Sequence, residues 1–352
     1  MPSQPVIDCD LHNVVPSVQA LFPYLSEHWR EYINQSAFKG APETSYPPHA
    51  PTSARPDSAP SGPDAGPPGS DLDLLRAQVL DVFPVEIGIL NCAYAIDSIH
   101  NPDAAAALAS AVNDWQSAEW LEKEPRLRAS IVVPSHFPEL ARREIERVAG
   151  RRGFIQVVLP VRSEAPYGNR RYLPIFEAAA KHDLVVGLQF GGRPGNPPTG
   201  VGWPSYYIEE YVGMSHVFHT QVLSLIVEGV FDRFPNLRMT LIEGGWTWLP
   251  SLMWRIDKDW KGLRREVPWN RQLPSDYIKQ HMRLTIQPLD AAPDPRTMLQ
   301  LIDQIGSDDL LLFSTDYPHW HFDSPDEAFP LPASDNLRRK VLADNARAFY
   351  RL

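Results

Sequence analysis

Short apolar runs alternate with longer amphipathic stretches along most of this chain. Eight runs stand out, at 6–9, 85–91, 129–133, 155–159, 184–190, 238–242, 282–286 and 310–314. Several are continuous in Val, Ile and Leu and too short for helices, as expected of strands covered on both faces. Between them, 102–121, 138–149, 172–182, 219–234 and 294–305 have the spacing of helices. Strand–helix alternation predicts a parallel sheet. Eight such repeats predict an α/β fold closed into a (β/α)8 TIM barrel, one domain spanning 1–352. An open dinucleotide-binding sheet fits less well. No G-x-G-x-x-G follows the first run, and neither Gly191-Gly192 nor Gly244-Gly245 has that spacing. No internal repeat of solenoid period is present.

One segment breaks the alternation. Of 36 prolines in 352 residues, nine lie between Pro42 and Pro68, where large apolar side chains are nearly absent. Such a stretch cannot bury enough surface to offset its chain entropy. It predicts a long Pro-rich surface insertion, 41–70, after the first strand: a lid, an interface arm or a tolerated excursion. The remaining composition, 43% apolar and 22% charged, excludes general disorder, collagen and coiled coil. With 33 basic against 43 acidic residues, the formal charge of −10 argues against nucleic acid or an anionic membrane as partner. It does not exclude an anionic small-molecule substrate. Cys9 and Cys92 sit in apolar runs and predict buried thiols rather than a disulfide framework. The apolar runs are too short for a membrane helix, and the first residues lack a signal-peptide pattern, so a cytoplasmic location is expected. Self-association is compatible with such a fold.

In a barrel of this kind the chemistry sits at the C-terminal ends of the strands. The first run ends in Asp10-Leu11-His12, and residues two apart in a strand share a face. A carboxylate beside an imidazole is an ordinary ligand pair for a divalent ion. The eighth run ends at Asp316, placed to be a metal ligand, a general base or both, and His319, Trp320 and His321 follow it. The sixth ends in Glu243-Gly244-Gly245-Trp246-Thr247-Trp248, where Glu243 faces the mouth as an acid–base candidate. Gln189 closes the fifth run, and Arg193 follows it as a planar fork for a substrate carboxylate. Trp246 and Trp320, with Trp203, Tyr206 and Trp248, are candidate pocket walls. Loop residues His100, His136, His216 and His219 are weaker candidates, and His281, opening the seventh run, belongs to the far end.

These residues in this order resemble the amidohydrolase-2 family. The resemblance rests on Asp10-x-His12, on the block from Gly229 through Phe231-Asp-Arg-Phe-Pro-Asn-Leu237 into Glu243-Gly-Gly-Trp-x-Trp-Leu-Pro, and on Phe313-Ser-Thr-Asp-Tyr-Pro-His319. The family comprises metal-dependent TIM-barrel hydrolases and decarboxylases related to aminocarboxymuconate semialdehyde and γ-resorcylate decarboxylases. The resemblance implies one divalent ion, Zn²⁺ or Mn²⁺, held by the acidic-x-His pair, a strand-five His and the Asp after strand eight. Asp10, His12 and Asp316 match. The strand-five position is Gln189, and Glu243 stands where many relatives place a further His. Carboxylate-rich sites favour harder ions such as Mn²⁺ or Mg²⁺. The expected function is therefore a metal-dependent hydrolase or decarboxylase of a small, carboxylated substrate, with Asp316, Glu243 and His319 as catalytic groups. Gln189, Arg193, Trp246 and Trp320 would contact the substrate. The missing imidazoles motivate two alternatives: a metal-free barrel serving as a binding or scaffold protein, and a metal-independent lyase using Glu243 and His319. Deleting 42–68 is expected to leave the barrel folded, with an unchanged far-ultraviolet circular dichroism spectrum and cooperative melting. Global unfolding of the deletion variant would show the arm to be structural.

Overall fold

A computed structural model describes residues 4–41, 54–62, 65–192, 197–319 and 324–352. Its eight strands are β1 (Val6–Leu11), β2 (Val85–Leu90), β3 (Leu127–Val132), β4 (Phe154–Arg162), β5 (Val185–Gly192), β6 (Arg238–Ile242), β7 (Met282–Thr285) and β8 (Leu311–Leu312). Each pairs in parallel with the next in sequence order. The ring closes through backbone hydrogen bonds from Cys9 N to Phe313 O (2.9 Å), Asp316 N to Asp10 O (3.1 Å) and His12 N to Tyr317 O (2.8 Å). Asp8 reinforces this seam: its Oδ1 accepts from Thr315 N (3.1 Å) and its Oδ2 from Thr315 Oγ1 (2.7 Å). The TIM-barrel expectation therefore holds, and all eight apolar runs supply strands. β1 runs past its apolar core to Leu11, which carries Asp10 into the strand.

The helical expectations hold with shifted limits. The helix Pro102–Gln116 begins at Asn101, whose side chain accepts from the Asp103 and Ala104 N–H groups, and it continues as a wider turn over Ser117–Leu121. Asp294 caps Pro295–Ile305 in the same way. The stretch 219–234 divides into the long helix Tyr207–Val227 and the short Val230–Arg233, broken at Gly229, whose φ is +73°. The long helix starts well before the expected boundary because Glu209 reaches back to the Ser205 and Tyr206 N–H groups. Glu27–Ser36, Leu249–Leu263 and Pro274–His281 form helices that the apolar spacing did not single out. His281 ends the last of these beneath the barrel, buried, with Nδ1 2.8 Å from Leu237 O.

Helices and strands enclose a continuous core around the barrel wall. The barrel's far end is packed separately: Ile7, Cys9, Ile89, Val185 and Leu312 meet Phe349 and Tyr350 of the C-terminal helix. Part of the Pro-rich segment falls outside the described residues; the described part lies on the mouth. Arg55 N donates to Pro318 O (2.8 Å), and Gly69 O accepts from Val14 N (3.0 Å).

The long helix that lines the mouth is pinned by close backbone approach at Gly168. Its N–H donates to Ser224 Oγ (3.1 Å), and a Cβ there would fall 2.2 Å from Ser224 O. Gly168→Ala should therefore cost about 1–3 kcal/mol through forced displacement of that helix. Urea unfolding will measure it, and a midpoint equal to wild type would refute the close approach.

Candidate metal centre and active site

The mouth of the barrel opens on a cavity of about 570 Å³. Its polar floor combines His12 with Gln189, Glu243, Asp316 and His319. Its walls include Val133, Val158, Phe190, Tyr94, Tyr207 and Tyr211, and among the described residues Lys39 is the only Lys or Arg lining it. Asp10 and His12 lie on one face of β1 and its extension, as the two-residue spacing predicts. His12 Nε2 is 3.0 Å from Asp316 Oδ1, 3.3 Å from Glu243 Oε1 and 3.6 Å from Asp10 Oδ1. His319 Nδ1 approaches the same Asp316 oxygen at 3.1 Å, and its ring lies 4.6 Å from that of His12. One donor atom each from His12, Glu243, Asp316 and His319 falls within 4.8 Å of the others, and Asp10 adjoins this group through His12. The spatial meeting of Asp10, His12 and Asp316 is thus present, with Glu243 and His319 drawn in beside them.

Two of these acids have unusual backbones. Glu243 and Asp316 have φ of +60° and +61°, in the left-handed region that non-glycine residues rarely adopt. Each turns sharply at its strand end and so directs its carboxylate into the mouth. Such strain persists where the surroundings hold it, and it concentrates at functional sites. Here Glu243 N donates to Thr285 Oγ1 (3.0 Å), and Asp316 N to Asp10 O.

Three carboxylates within reach of one imidazole set the electrostatics. Burial pushes the Asp10 carboxyl well above its usual range, and neighbouring Glu243 and Asp316 add to the rise against the pull of His12. Burial opposes a charged His12, but Asp10, Asp316 and Glu243 outweigh it and hold the imidazole well above its ordinary value. Burial would raise Asp316 also, yet His319 and His12 bring it below the usual carboxylate value. Burial raises Asp8, below the floor, to about 7 despite its hydrogen bonds from Thr315. Asp10 Oδ2 and Asp316 Oδ2 are buried without a hydrogen-bond partner. Concentrated negative charge and orphaned carboxylate oxygens are what a cation would satisfy, so the residues present fit a divalent ion.

Gln189 occupies the strand-five position as an amide bridge. Its Nε2 donates to Glu243 Oε1 (3.0 Å) and lies 3.2 Å from His12 Nδ1, while its Oε1 has no partner. Behind Asp10 stands a buried polar relay that the sequence reading missed. Asn91 Nδ2 donates to Asp10 Oδ1 (2.9 Å), and Asn91 Oδ1 accepts from Ser130 Oγ (2.7 Å) and Gln156 Nε2 (2.9 Å). Gln156 Oε1 accepts from Tyr350 OH (2.8 Å) at the far end of the barrel. The signal was the polar residues Asn91, Ser130 and Gln156 within or ending apolar runs.

Other expectations need correction. Trp246 lines no part of the cavity; it is fully buried in the hydrophobic core, because Gly245, at φ +64°, turns the chain inward. Trp203 and Tyr206 are exposed, and Trp248 donates its Nε1 to Gly244 O and Gly245 O. The aromatic wall comes instead from Tyr94, Phe190, Tyr207 and Tyr211. His136 is buried with Nε2 2.9 Å from Ile99 O, and His219 packs on Trp248 at 4.4 Å; neither lines the cavity, and nor do His100 and His216. Arg193, Trp320 and His321 lie outside the described residues. Cys9 and Cys92 are buried and not joined in a disulfide.

Comparison with known proteins identifies the family. The family model described as Amidohydrolase matches residues 7–352. The chain belongs to the amidohydrolase family. A γ-resorcylate decarboxylase of Polaromonas sp. (strain JS666 / ATCC BAA-500) is 29% identical over 303 residues, 80% of this chain and 88% of that protein. Two crystal structures show the same fold. A 2,6-dihydroxybenzoate decarboxylase from Rhizobium has a TM-score of 0.69 at 21% identity, covering 99% of both chains. A dihydroxybenzoic acid decarboxylase from Polaromonas sp. JS666, with bound manganese and the inhibitor 2-nitroresorcinol, has a TM-score of 0.69 at 24% identity, covering 100% of this chain and 98% of that one. This amidohydrolase is accordingly an enzyme, a hydrolase or carboxy-lyase. No helix among its described residues is long and apolar enough to cross a membrane.

The relay behind Asp10 gives a stability test. Asn91→Leu strands Asp10, Ser130 and Gln156 without a shared partner in the barrel interior. It should cost about 2–4 kcal/mol in denaturant unfolding. A loss below about 0.5 kcal/mol would show the relay to be energetically idle.

Proposed function

We propose that this amidohydrolase is a decarboxylase of a small, hydroxylated aromatic carboxylic acid, working with one divalent ion. The observation that carries the reading is the convergence of His12, Glu243, Asp316 and His319 on the floor of a cavity walled by aromatic side chains. The decarboxylases among its relatives support it. His12, Glu243 and Asp316 would hold the ion, with Asp10 adjoining. The predominance of carboxylate over imidazole favours manganese over zinc. When bound, the ion supplies positive charge that receives the substrate carboxylate and offsets charge building on the ring as CO₂ departs.

The chain's own residues supply the remainder. Phe190, Tyr207 and Tyr211 hold the ring and exclude water. Lys39 contributes positive charge to an otherwise acidic mouth. Asp316 orients His319 through Nδ1, which leaves the other ring nitrogen to deliver a proton to the carbon that has lost its carboxylate. Gln189, which lines the cavity floor, would contact the substrate there. Hydrolysis would use the same side chains with water as the nucleophile, so released CO₂ distinguishes the two. The buried thiols suit a cytoplasmic location. Exposed Ile208 and Val212 on the long mouth helix offer apolar surface for a homo-oligomer.

The protein purified without chelator should carry about one Mn²⁺ per chain by mass spectrometry. Asp316→Asn should lose it, and wild type should release CO₂ from 2,6-dihydroxybenzoate. His12→Ala should lower turnover at least about 100-fold while the melting temperature falls by only a few degrees. A folded, metal-free chain that binds ligand tightly would instead establish a scaffold. Turnover indifferent to strong chelation would establish the metal-independent lyase.

A further inference from the structure

The long helix Tyr207–Val227 is held to the barrel in two different ways. From Met214 onward it is anchored by apolar burial: Met214, Phe218, Val222, Leu225 and Ile226 are all buried. Gln221 adds a tether there, its Nε2 donating to Val161 O (2.7 Å) and its Oε1 accepting from Tyr167 N (2.7 Å). The first two turns, 207–213, have no such apolar anchor. Their aliphatic residues Ile208 and Val212 point to solvent, each 69% exposed. The one buried side chain of these turns is a carboxylate, Glu210. Arg162, at the end of β4 and also buried, places its Nη1 2.9 Å from Glu210 Oε1.

A buried ion pair is a poor source of stability, because desolvating both charges offsets most of their attraction. What it supplies is direction: neither charge can move away without stranding the other where water is excluded. Tyr207 and Tyr211 flank Glu210 on the helix, and both line the cavity. Their rings lie 5.8 Å apart, and that of Tyr211 lies 5.2 Å from Phe190 on β5. Burial raises the Tyr207 hydroxyl, and Glu210, Glu243 and Asp316 add to the rise, as expected of a ring set between the ion pair and the acidic floor. Arg162 and Glu210 themselves do not line the cavity. We propose that they are positioning residues: their ion pair docks the first two turns of this helix and so sets Tyr207 and Tyr211 in the cavity wall. The inference rests on the decarboxylase reading only for the substrate that this wall faces, since the docking follows from the helix and the strand alone.

The test uses the full-length, Mn²⁺-supplied protein and two local readouts: amide hydrogen exchange by mass spectrometry, and tyrosine nitration by tetranitromethane. In wild type, amides 211–214 should exchange at least about a hundredfold more slowly than an unstructured chain. Tyr207 and Tyr211 should nitrate more slowly than exposed Tyr32. Glu210→Gln and Arg162→Met should each speed exchange at 211–214 about tenfold or more, with 218–227 changed less than about twofold. Both should also nitrate Tyr207 and Tyr211 several times faster relative to Tyr32. Arg162→Lys, which keeps the charge, should stay closer to wild type than Arg162→Met in both readouts. Wild type that exchanges freely at 211–214 overturns the proposal without reference to any variant. Exchange unchanged in both variants overturns it too, as does faster exchange without faster nitration, or a lysine variant as loose as the methionine one. Variants that fail to fold, or that loosen the whole helix equally, make the pair a general structural element and likewise overturn it. Local loosening in a protein that releases no CO₂ from 2,6-dihydroxybenzoate supports this inference and removes the decarboxylase reading.

Discussion

Two backbone hydrogen bonds carry the rest of this structure: Asp316 N to Asp10 O, and His12 N to Tyr317 O. They join residues about three hundred positions apart and close the ring at its first and last strands. Because the last strand is only two residues long, much of the closing contact is made by the segment after it, which is also the segment that bears Asp316 and His319. Closure and assembly of the site are therefore one event. Asp8 ties the same seam from below with both carboxylate oxygens on Thr315.

The seam brings like charges together, and the surroundings have to tolerate that. Asp10, Glu243 and Asp316 meet around one imidazole in a region nearly sealed from water, where bringing a second negative charge close is costly. Asn91 satisfies one oxygen of Asp10, Gln189 one oxygen of Glu243, and His319 the outer side of Asp316. Two carboxylate oxygens stay unpaired, so the folded chain holds a standing affinity for positive charge at this point. Gln189 fits this arrangement: an amide can donate to Glu243 where a neutral imidazole in the same place would have to compete for the cation. At this place the chain has an acid on strand six and an amide between that acid and His12.

The polar relays show how such a site is kept rigid in a barrel interior that is otherwise apolar. One runs from Tyr350 through Gln156 and Asn91 to Asp10; the other runs from Glu144 through Asn113 and Gln116 to Asn13. Each ends at a residue of the β1 terminus, and each consists of groups whose donors and acceptors are nearly all used. Networks with most donors and acceptors used favour one arrangement, since rotation strands buried polar groups.

Apolar runs alternating with helical spacing were enough to identify eight strands, their parallel order and the barrel, because burial on both faces leaves a signature in every strand separately. The acidic-x-His pair and Asp316 were legible for a similar reason: strand ends lie at the mouth by the rules of the fold, wherever the residues fall in sequence. Sequence was silent where the outcome depended on orientation between distant parts. Trp246 and the tyrosines of the mouth helix are equally aromatic, yet a left-handed glycine sends the first into the core, and an earlier helix start brings Tyr207 and Tyr211 to the cavity. Gln189, Asn91 and Asn13 are ordinary amides in isolation. Which group each of them meets follows only from the partners that folding places around it.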